Sequence, residues 1–305
     1  MITDKVIGIC SFADMRLYQS LERFKRMALS MDVIDIVAVY SELDLPKEYL
    51  NKNRKLLTTN SRGFGYWCWK PFIVLNELKK NPDMDILFYC DSGSHIRGGG
   101  VERLFEYVQL LSESKHDILA FHLSLETSHP FDELNSNIQG NGMLEAHWTK
   151  GDMFNHFGIN EKHPHAWTPQ VAGGLFAVKN THRIRSFLQD WTKDLENFPH
   201  LFNDVPSTIP NFNGFIEHRH DQSYFSLSLK QLGYVKLSAW ENDPFCLLHW
   251  GNVKLSAWEI DSPDLIWDRL DLAPFHHRRD KKRSKFWRLV KLSRKLLNLR
   301  KGHFN

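Results

Sequence analysis

Asp85-Ile86-Leu87-Phe88-Tyr89-Cys90-Asp91-Ser92-Gly93 decides the fold. Its unbroken apolar run predicts a strand inside an α/β sheet rather than one with a wet face. The run stops at a carboxylate, a hydroxyl and a glycine. In open α/β sheets ligands bind just outside the carboxyl ends of strands, which is where Asp91 and Ser92 fall. The same residues also fit a plain strand-end turn.

Working outward, Val6 to Cys10 predicts a short buried strand. Leu17, Leu21, Phe24, Met27 and Ala28 recur at helical spacing between Met15 and Met31. Val33 to Tyr40 is β-branched and apolar, the pattern of an interior parallel strand. These three elements form a β-α-β unit and predict a doubly wound, Rossmann-like sheet. Helices are expected over Pro71 to Lys80, Val101 to Ser112, His182 to Asn197 and Asp221 to Leu232, and strands over Asp117 to Phe121 and Val171 to Val178. Residues 122–169 read as polar loops with one short helix from Trp148 to Phe157. Val-Lys-Leu-Ser-Ala-Trp-Glu occurs at Val235 to Glu241 and again at Val253 to Glu259, a local duplication too short for a solenoid.

The chain has 305 residues, enough for one sizeable α/β domain. Cys10, Cys68, Cys90 and Cys246 are far apart, which suits a reducing compartment and argues against a disulfide framework. The N-terminus lacks the basic start and long apolar core of a signal peptide. No segment approaches the ~20 apolar residues that span a bilayer. A cytoplasmic location is therefore expected. Between Arg278 and Lys301 there are 12 Lys/Arg and a single acid, Asp280, so the remainder is acidic with 27 cations against 35 anions. An acidic body is a poor nucleic-acid binder, and no nucleic-acid partner is expected. In the tail, Phe286, Trp287, Leu289, Leu292 and Leu296 interleave with cations, the pattern of a basic amphipathic helix lying in an anionic membrane surface. Packing of that helix on the acidic body is the other reading.

Several constellations carry chemistry. Arg62-Gly63-Phe64-Gly65-Tyr66-Trp67-Cys68-Trp69-Lys70-Pro71 combines aromatic faces for a base or sugar with Arg62 and Lys70 for a diphosphate. It also fits a hydrophobic entry into the helix at Pro71. Gln170-Val171-Ala172-Gly173-Gly174 sets two glycines in an apolar strand, for close approach either of a ligand or of a helix. Glu217-His218-Arg219-His220-Asp221-Gln222-Ser223 crowds ionisable groups before a helix; Asp221 and Ser223 could be caps, and the crowd suits hydroxyl recognition and general-base work. Glu145, His147, Trp148, Lys150 and Asp152 are candidate acceptor contacts, or a solvated loop. His249 in His249-Trp250-Gly251 reads first as a packed histidine.

In order, Tyr66-Trp67-Cys68-Trp69-Lys70-Pro71, Tyr89-Cys90-Asp91-Ser92-Gly93, Gly173-Gly174-Leu175-Phe176 and Arg219-His220-Asp221-Gln222-Ser223 resemble bacterial glycosyltransferases of lipopolysaccharide O-antigen and capsule assembly. More broadly the chain resembles retaining GT-A enzymes such as glycogenin. Two departures stand out: Gly93 replaces the second carboxylate of the DxD, and His249-Trp250-Gly251 is one residue short of the family's His-x-x-Gly.

The resemblance implies a GT-A-like, mostly parallel mixed sheet flanked by helices. Residues 1–275 would form the transferase domain, with a nucleotide-sugar half at about 1–121 and an acceptor half at about 122–275; residues 276–305 would be the membrane-associating tail. It implies transfer from a nucleotide-diphosphate sugar, UDP-hexose favoured, to a saccharide or lipid-linked saccharide acceptor at the inner face of the cell membrane, retaining favoured over inverting. Donor contacts would be Ser11, Phe12, Arg62, Tyr66, Trp69, Lys70, Asp91, Ser92, Gly173 and Gly174. Acceptor contacts would be Glu145, Trp148, Lys150, Asp152, His218, Arg219 and His220. Asp221 and Gln222 would be catalytic. Asp91 and His249 would hold a divalent metal, Mn²⁺ or Mg²⁺. The other readings are a sugar-1-phosphate nucleotidyltransferase, against which the loop Ser11-Phe12-Ala13-Asp14 counts, a glycoside hydrolase, and a non-catalytic membrane- or partner-binding protein.

Overall fold

The computed structural model describes residues 4–58, 60–123, 143–237 and 275–276. A six-stranded mixed sheet organises them. Its strands are β1 (Ile7–Phe12), β2 (Ile36–Tyr40), β3 (Ile86–Cys90), β5 (Ile118–His122), β6 (Val171–Lys179) and β7 (Val235–Leu237), in the order β2-β1-β3-β6-β5-β7. A two-residue strand β4 (His95–Ile96) pairs with β8 (Phe275–His276) in a separate ladder. β1 pairs in parallel with β2 and β3, and β5 in parallel with β7. β6 runs antiparallel between β3 and β5. A strand from the second half of the chain thus joins strands of the first half in one sheet.

Period-2 alternation sends each strand's side chains to two different layers. Ile7 and Ile9 of β1, Ile86 and Phe88 of β3, and Leu119 and Phe121 of β5 pack into one apolar cluster. That cluster is closed by Phe24 and Ala28 of α1 (Tyr18–Leu29) and by Leu104, Tyr107 and Leu111 of α4 (Val101–Glu113). Cys10 and Phe12, Leu87 and Tyr89, and Ile118 and Ala120 enter the opposite cluster. Its helices are α3 (Trp69–Lys80), α7 (His182–Asn197) and α8 (Asp221–Leu232). The face of Leu87 and Tyr89 is therefore also the face from which Asp91 emerges.

Three expectations change. β2 is an edge strand and mostly half-buried, because only β1 pairs with it. The helix expected from Met15 begins as a single 3₁₀ turn, Met15–Leu17, capped by the Asp14 carboxylate. The short helix expected from Trp148 is two pieces, α5 (Glu145–Trp148) and α6 (Gly151–His156), broken at Thr149 and Lys150, whose side chains are committed elsewhere. The remaining helix is α2 (Lys47–Lys52).

Before α3 the chain makes a turn of the opposite hand. Gly63, Phe64, Gly65, Tyr66 and Trp67 have φ of +56°, +52°, +91°, +55° and +60°. For the three non-glycine residues this costs about 1–2 kcal/mol each. Local bonds offset it: Tyr66 N–H donates to the Arg62 carbonyl at 2.6 Å, Gly65 N–H to Ser61 Oγ at 2.8 Å, and Trp69 Nε1–H to the Gly63 carbonyl at 3.0 Å. The glycines here serve the turn.

Cys10, Cys68 and Cys90 are buried thiols. Among the described residues no helix is long and apolar enough to cross a membrane. The tail, the second repeat copy, most of the first copy, Cys246 and His249 lie outside the described residues.

Candidate active site

At the carboxyl end of β3, Asp91 N–H donates to the Gly174 carbonyl at 2.8 Å, which ties Asp91 to β6. The Tyr89 hydroxyl donates to Asp91 Oδ1 at 2.6 Å. Tyr89 and Asp91 share a strand face, so the spacing i, i+2 brings them together. Lys70, in the first turn of α3, points into the same place. Its ammonium is buried, pairs with Asp221 Oδ2, and donates to the Gly173 carbonyl at 2.7 Å. It also lies 5.0 Å from the Tyr89 ring centroid. Asp221 opens α8, where an N-terminal helix dipole favours a carboxylate.

Burial pushes the Asp221 carboxyl up to about 6; Lys70 works against the rise and the charge of Asp91 adds to it. Near neutral pH the group is ionised and salt-bridged. Its neighbour Gln222 is fixed at both ends of its amide. Oε1 accepts from Gly173 N–H at 3.3 Å, and Nε2 donates to Gln170 Oε1 at 2.7 Å. A methyl group on Gly173 would lie 3.1 Å from Gln222 Cβ and 3.2 Å from its Cα. The close approach that Gly173 permits is therefore that of α8 to β6, the packing alternative of the two read from the sequence.

His220 holds the entry to α8 at φ +52°, ψ −119°, a conformation that L-residues rarely adopt. Tyr66 lies tilted against its ring at 4.9 Å and Trp67 stacks on it at 5.8 Å, and its Nδ1–H donates to the Phe202 carbonyl at 3.0 Å. The left-handed turn and the strained histidine thus brace each other beside Asp221.

The donor candidates fall into two groups. Lys70, Asp91, Gly173 and Gly174 meet at the site. Phe12 and Trp69 are buried and stacked on each other at 4.0 Å, with the Phe64 ring 6.1 Å from that of Phe12. Ser11 is fully buried and its Oγ has no partner among the described residues. The Ser92 carbonyl accepts from Arg23 at 3.0 Å. Tyr66 is half-buried on His220. Arg62 is exposed and paired with Glu217, so its charge is already countered.

Most acceptor candidates turn inward. Glu145 is fully buried and holds Lys230, Thr149 and Ser226. Lys150 sends its ammonium to the carbonyls of His200, Asn203 and Val205, and burial lowers its pKa to about 8. Asp152 accepts from Thr208 N–H and Oγ1–H and from Ile209 N–H. Burial acts to raise its pKa, and these bonds outweigh it. His218 accepts from Lys150 N–H and donates to the Leu201 carbonyl, and burial drives its pKa well down. Lys150, Asp152, His218 and His220 together pin the loop 199–211. They are not solvated contacts, because each of the four is itself buried and spends its polar atoms on the backbone of this loop. Trp148 and Arg219 stay half-exposed, the guanidinium 4.3 Å from the indole centroid.

Sequence reasoning missed Gln170, Tyr89 and the buried Glu145–Lys230 pair. Ser223, Ser226 and Lys230 lie at i, i+3 and i+7, a polar stripe within an apolar helix that could have revealed the network.

Among the described residues no cluster of three potential metal ligands stands at this site or elsewhere. Asp221 is committed to Lys70 and Asp91 Oδ1 to Tyr89, so these residues alone do not fit a metal centre.

Fold and site together define an α/β protein with a mixed sheet and a buried acid–base cluster at a strand end. No protein-family model matches the chain, and no curated protein matches it. Among the solved structures similar to it are three transferases. One is a glycosyltransferase involved in the glycosylation of the major capsid of PBCV-1, at 10% identity and TM-score 0.42, covering 78% of this chain and 83% of that one. Another is mouse xyloside xylosyltransferase 1, at 11% identity and TM-score 0.41, covering 89% and 97%. The third is the galactosyltransferase LgtC, at 13% identity and TM-score 0.40, covering 93% and 94%.

Proposed function

We propose that this chain is a nucleotide-sugar-dependent glycosyltransferase. The observation that supports it is the buried Lys70–Asp221 pair, set against Gly173 at the same strand end as Asp91. An anionic carboxylate in a dry setting is suited to stabilise the positive charge that grows at an anomeric carbon as its bond to a diphosphate breaks. Lys70 keeps that carboxylate ionised and oriented. Gln222, tied to Gly173 and Gln170, keeps the start of α8 from drifting. The bonding electrons leave with the diphosphate, the acceptor hydroxyl's oxygen bonds the vacated carbon, and its proton passes to the departing diphosphate oxygen.

The finer reading rests on sequence motifs. It comprises a UDP-hexose donor, a lipid-linked saccharide acceptor in lipopolysaccharide O-antigen or capsule synthesis, retention of configuration, and a basic tail on the anionic inner face of the membrane. A Mn²⁺ or Mg²⁺ ion, held by Asp91 and by His249 from outside the described residues, belongs to the same proposal; it would supply Lewis-acid help to the leaving diphosphate.

Thermal-shift titration with UDP-, GDP- and CMP-sugars, with and without Mn²⁺, tests this beside Asp91→Ala. One nucleotide sugar should raise the melting temperature of the wild type and release its nucleoside diphosphate when an acceptor is added. Stabilisation that needs Mn²⁺ and is lost in Asp91→Ala supports the metal site, and metal-independent stabilisation removes it. A folded protein that responds to no nucleotide sugar overturns the transferase.

A further inference from the structure

Four residues that the sequence offered as acceptor contacts, Glu145, Lys150, Asp152 and His218, are committed to internal bonds. The segment leading to Asp221 runs beside the end of α5. Ile216 and Glu217 N–H both donate to the His147 carbonyl, at 2.8 and 3.3 Å, and Arg219 N–H donates to the Trp148 carbonyl at 3.0 Å. Ile216, Glu217 and Arg219 are thereby laid out in order toward Asp221, over at most roughly 18 Å of chain.

The outer end of this strip is apolar and fixed. Trp167 is 43% exposed and Ile216 58% exposed. Both adjoin His147, which the Trp167 ring meets edge-on with centroids 6.4 Å apart. The Trp167 Nε1–H is engaged by the Glu161 carbonyl at 2.6 Å, so the indole is held in place and offers ring surface to solvent. The inner end alternates charge with ring faces. Glu217 lies between Arg62 and Arg219, 3.6 Å from the latter, and Arg219 covers Trp148. Carbohydrate has the matching chemistry: C–H faces that lie on aromatic rings, and hydroxyls that bond to carboxylates and guanidinium groups. An apolar protein partner would leave the charged inner groups desolvated and unmatched.

We propose that this strip, from Trp167 and Ile216 inward to Arg219, is the acceptor-saccharide subsite, with Trp167 as the stacking platform for a sugar unit removed from the reacting one. The proposal rests on the transferase reading for its purpose but not for its test. Full-length wild type, Trp167→Ala and Trp167→Phe are applied to a printed glycan array. Wild type should retain a defined set of glycans, Trp167→Ala should lose about tenfold in apparent affinity for them, and Trp167→Phe should recover most of it. The retained glycan is then used as acceptor with the stabilising nucleotide sugar. KM for the glycan should rise about tenfold in Trp167→Ala, with kcat and the donor's thermal shift unchanged. Wild type that retains no glycan, or Trp167→Ala that retains the same glycans equally, overturns the subsite. Glycan retention without any nucleotide-sugar response would overturn the transferase and leave the subsite standing.

Discussion

Lys70 and Asp221 meet as a buried ion pair across 151 positions of sequence, and the same ammonium donates to the Gly173 carbonyl. One cation therefore joins the first turn of α3, the glycine strand and the first turn of α8. Its geometry fixes a carboxylate that the fold buries beside Asp91.

Removing one partner leaves the other charge stranded. Lys70→Met should destabilise the protein by about 3–5 kcal/mol, and Asp221→Asn by less, because a neutral amide can still accept from Lys70. The double variant should lose less than the two single losses combined. Urea denaturation of the four proteins checks this; strict additivity would mean that the pair is not coupled.

Acid should switch off turnover through Asp221. With its carboxyl at about 6, kcat/KM should fall below that pH by up to tenfold per unit. The linkage to stability runs the other way. The folded pKa lies above the unfolded value, so this group's contribution is fully present below about 4 and is lost as pH rises through about 6. A pH–rate profile without an inflection near 6 would rule out Asp221 as the titrating group.

His218 and His220 have the opposite sign. Burial depresses both, His220 to about 4. Their contribution is present above an unfolded pKa of about 6.5 and is lost as pH falls toward about 4. His220→Gln should flatten part of this acid sensitivity while relieving none of the backbone strain. Melting temperatures measured from pH 7 to pH 4 give the comparison.

The loop 199–211 should open when its cation is removed. Lys150→Met leaves the carbonyls of His200, Asn203 and Val205 without their shared donor. Limited proteolysis with chymotrypsin should then cut at Leu201 or Phe202 faster than in wild type, by about tenfold or more. An unchanged cleavage rate would show that the other anchors suffice.

A methyl at Gly173 probes the contact between β6 and α8. Its nearest neighbours include the Gln222 backbone, which cannot swing aside, so Gly173→Ala should cost about 1–3 kcal/mol and displace Asp221. Loss of activity with unaltered stability would point instead to a ligand occupying that space.

The strands were legible because continuous apolar runs such as Ile86–Cys90 admit few other placements, and Asp91 followed from the position of its strand end. Asp221 and Lys70 were each picked out, but not their contact, since nothing local in sequence pairs residues so far apart. The edge position of β2 was hidden because an edge strand under α1 is still apolar. The inward turn of Lys150, Asp152 and His218 was hidden for a related reason. Short-range polarity looks the same whether a side chain meets water or the carbonyls of a distant loop. Trp167 drew no attention because a lone tryptophan has no period.

The left-handed turn from Gly63 to Trp67 bears on how the chain folds. Its hand is unfavourable locally, and the rings that brace it, Phe12 and His220, come from distant parts of the sequence. The turn is thus unlike a nucleating hairpin: its bracing contacts require β1 and α8 to be docked. Substitutions within it should speed unfolding while leaving the refolding rate nearly untouched, so this segment governs how long a folded molecule lasts rather than how fast it is made.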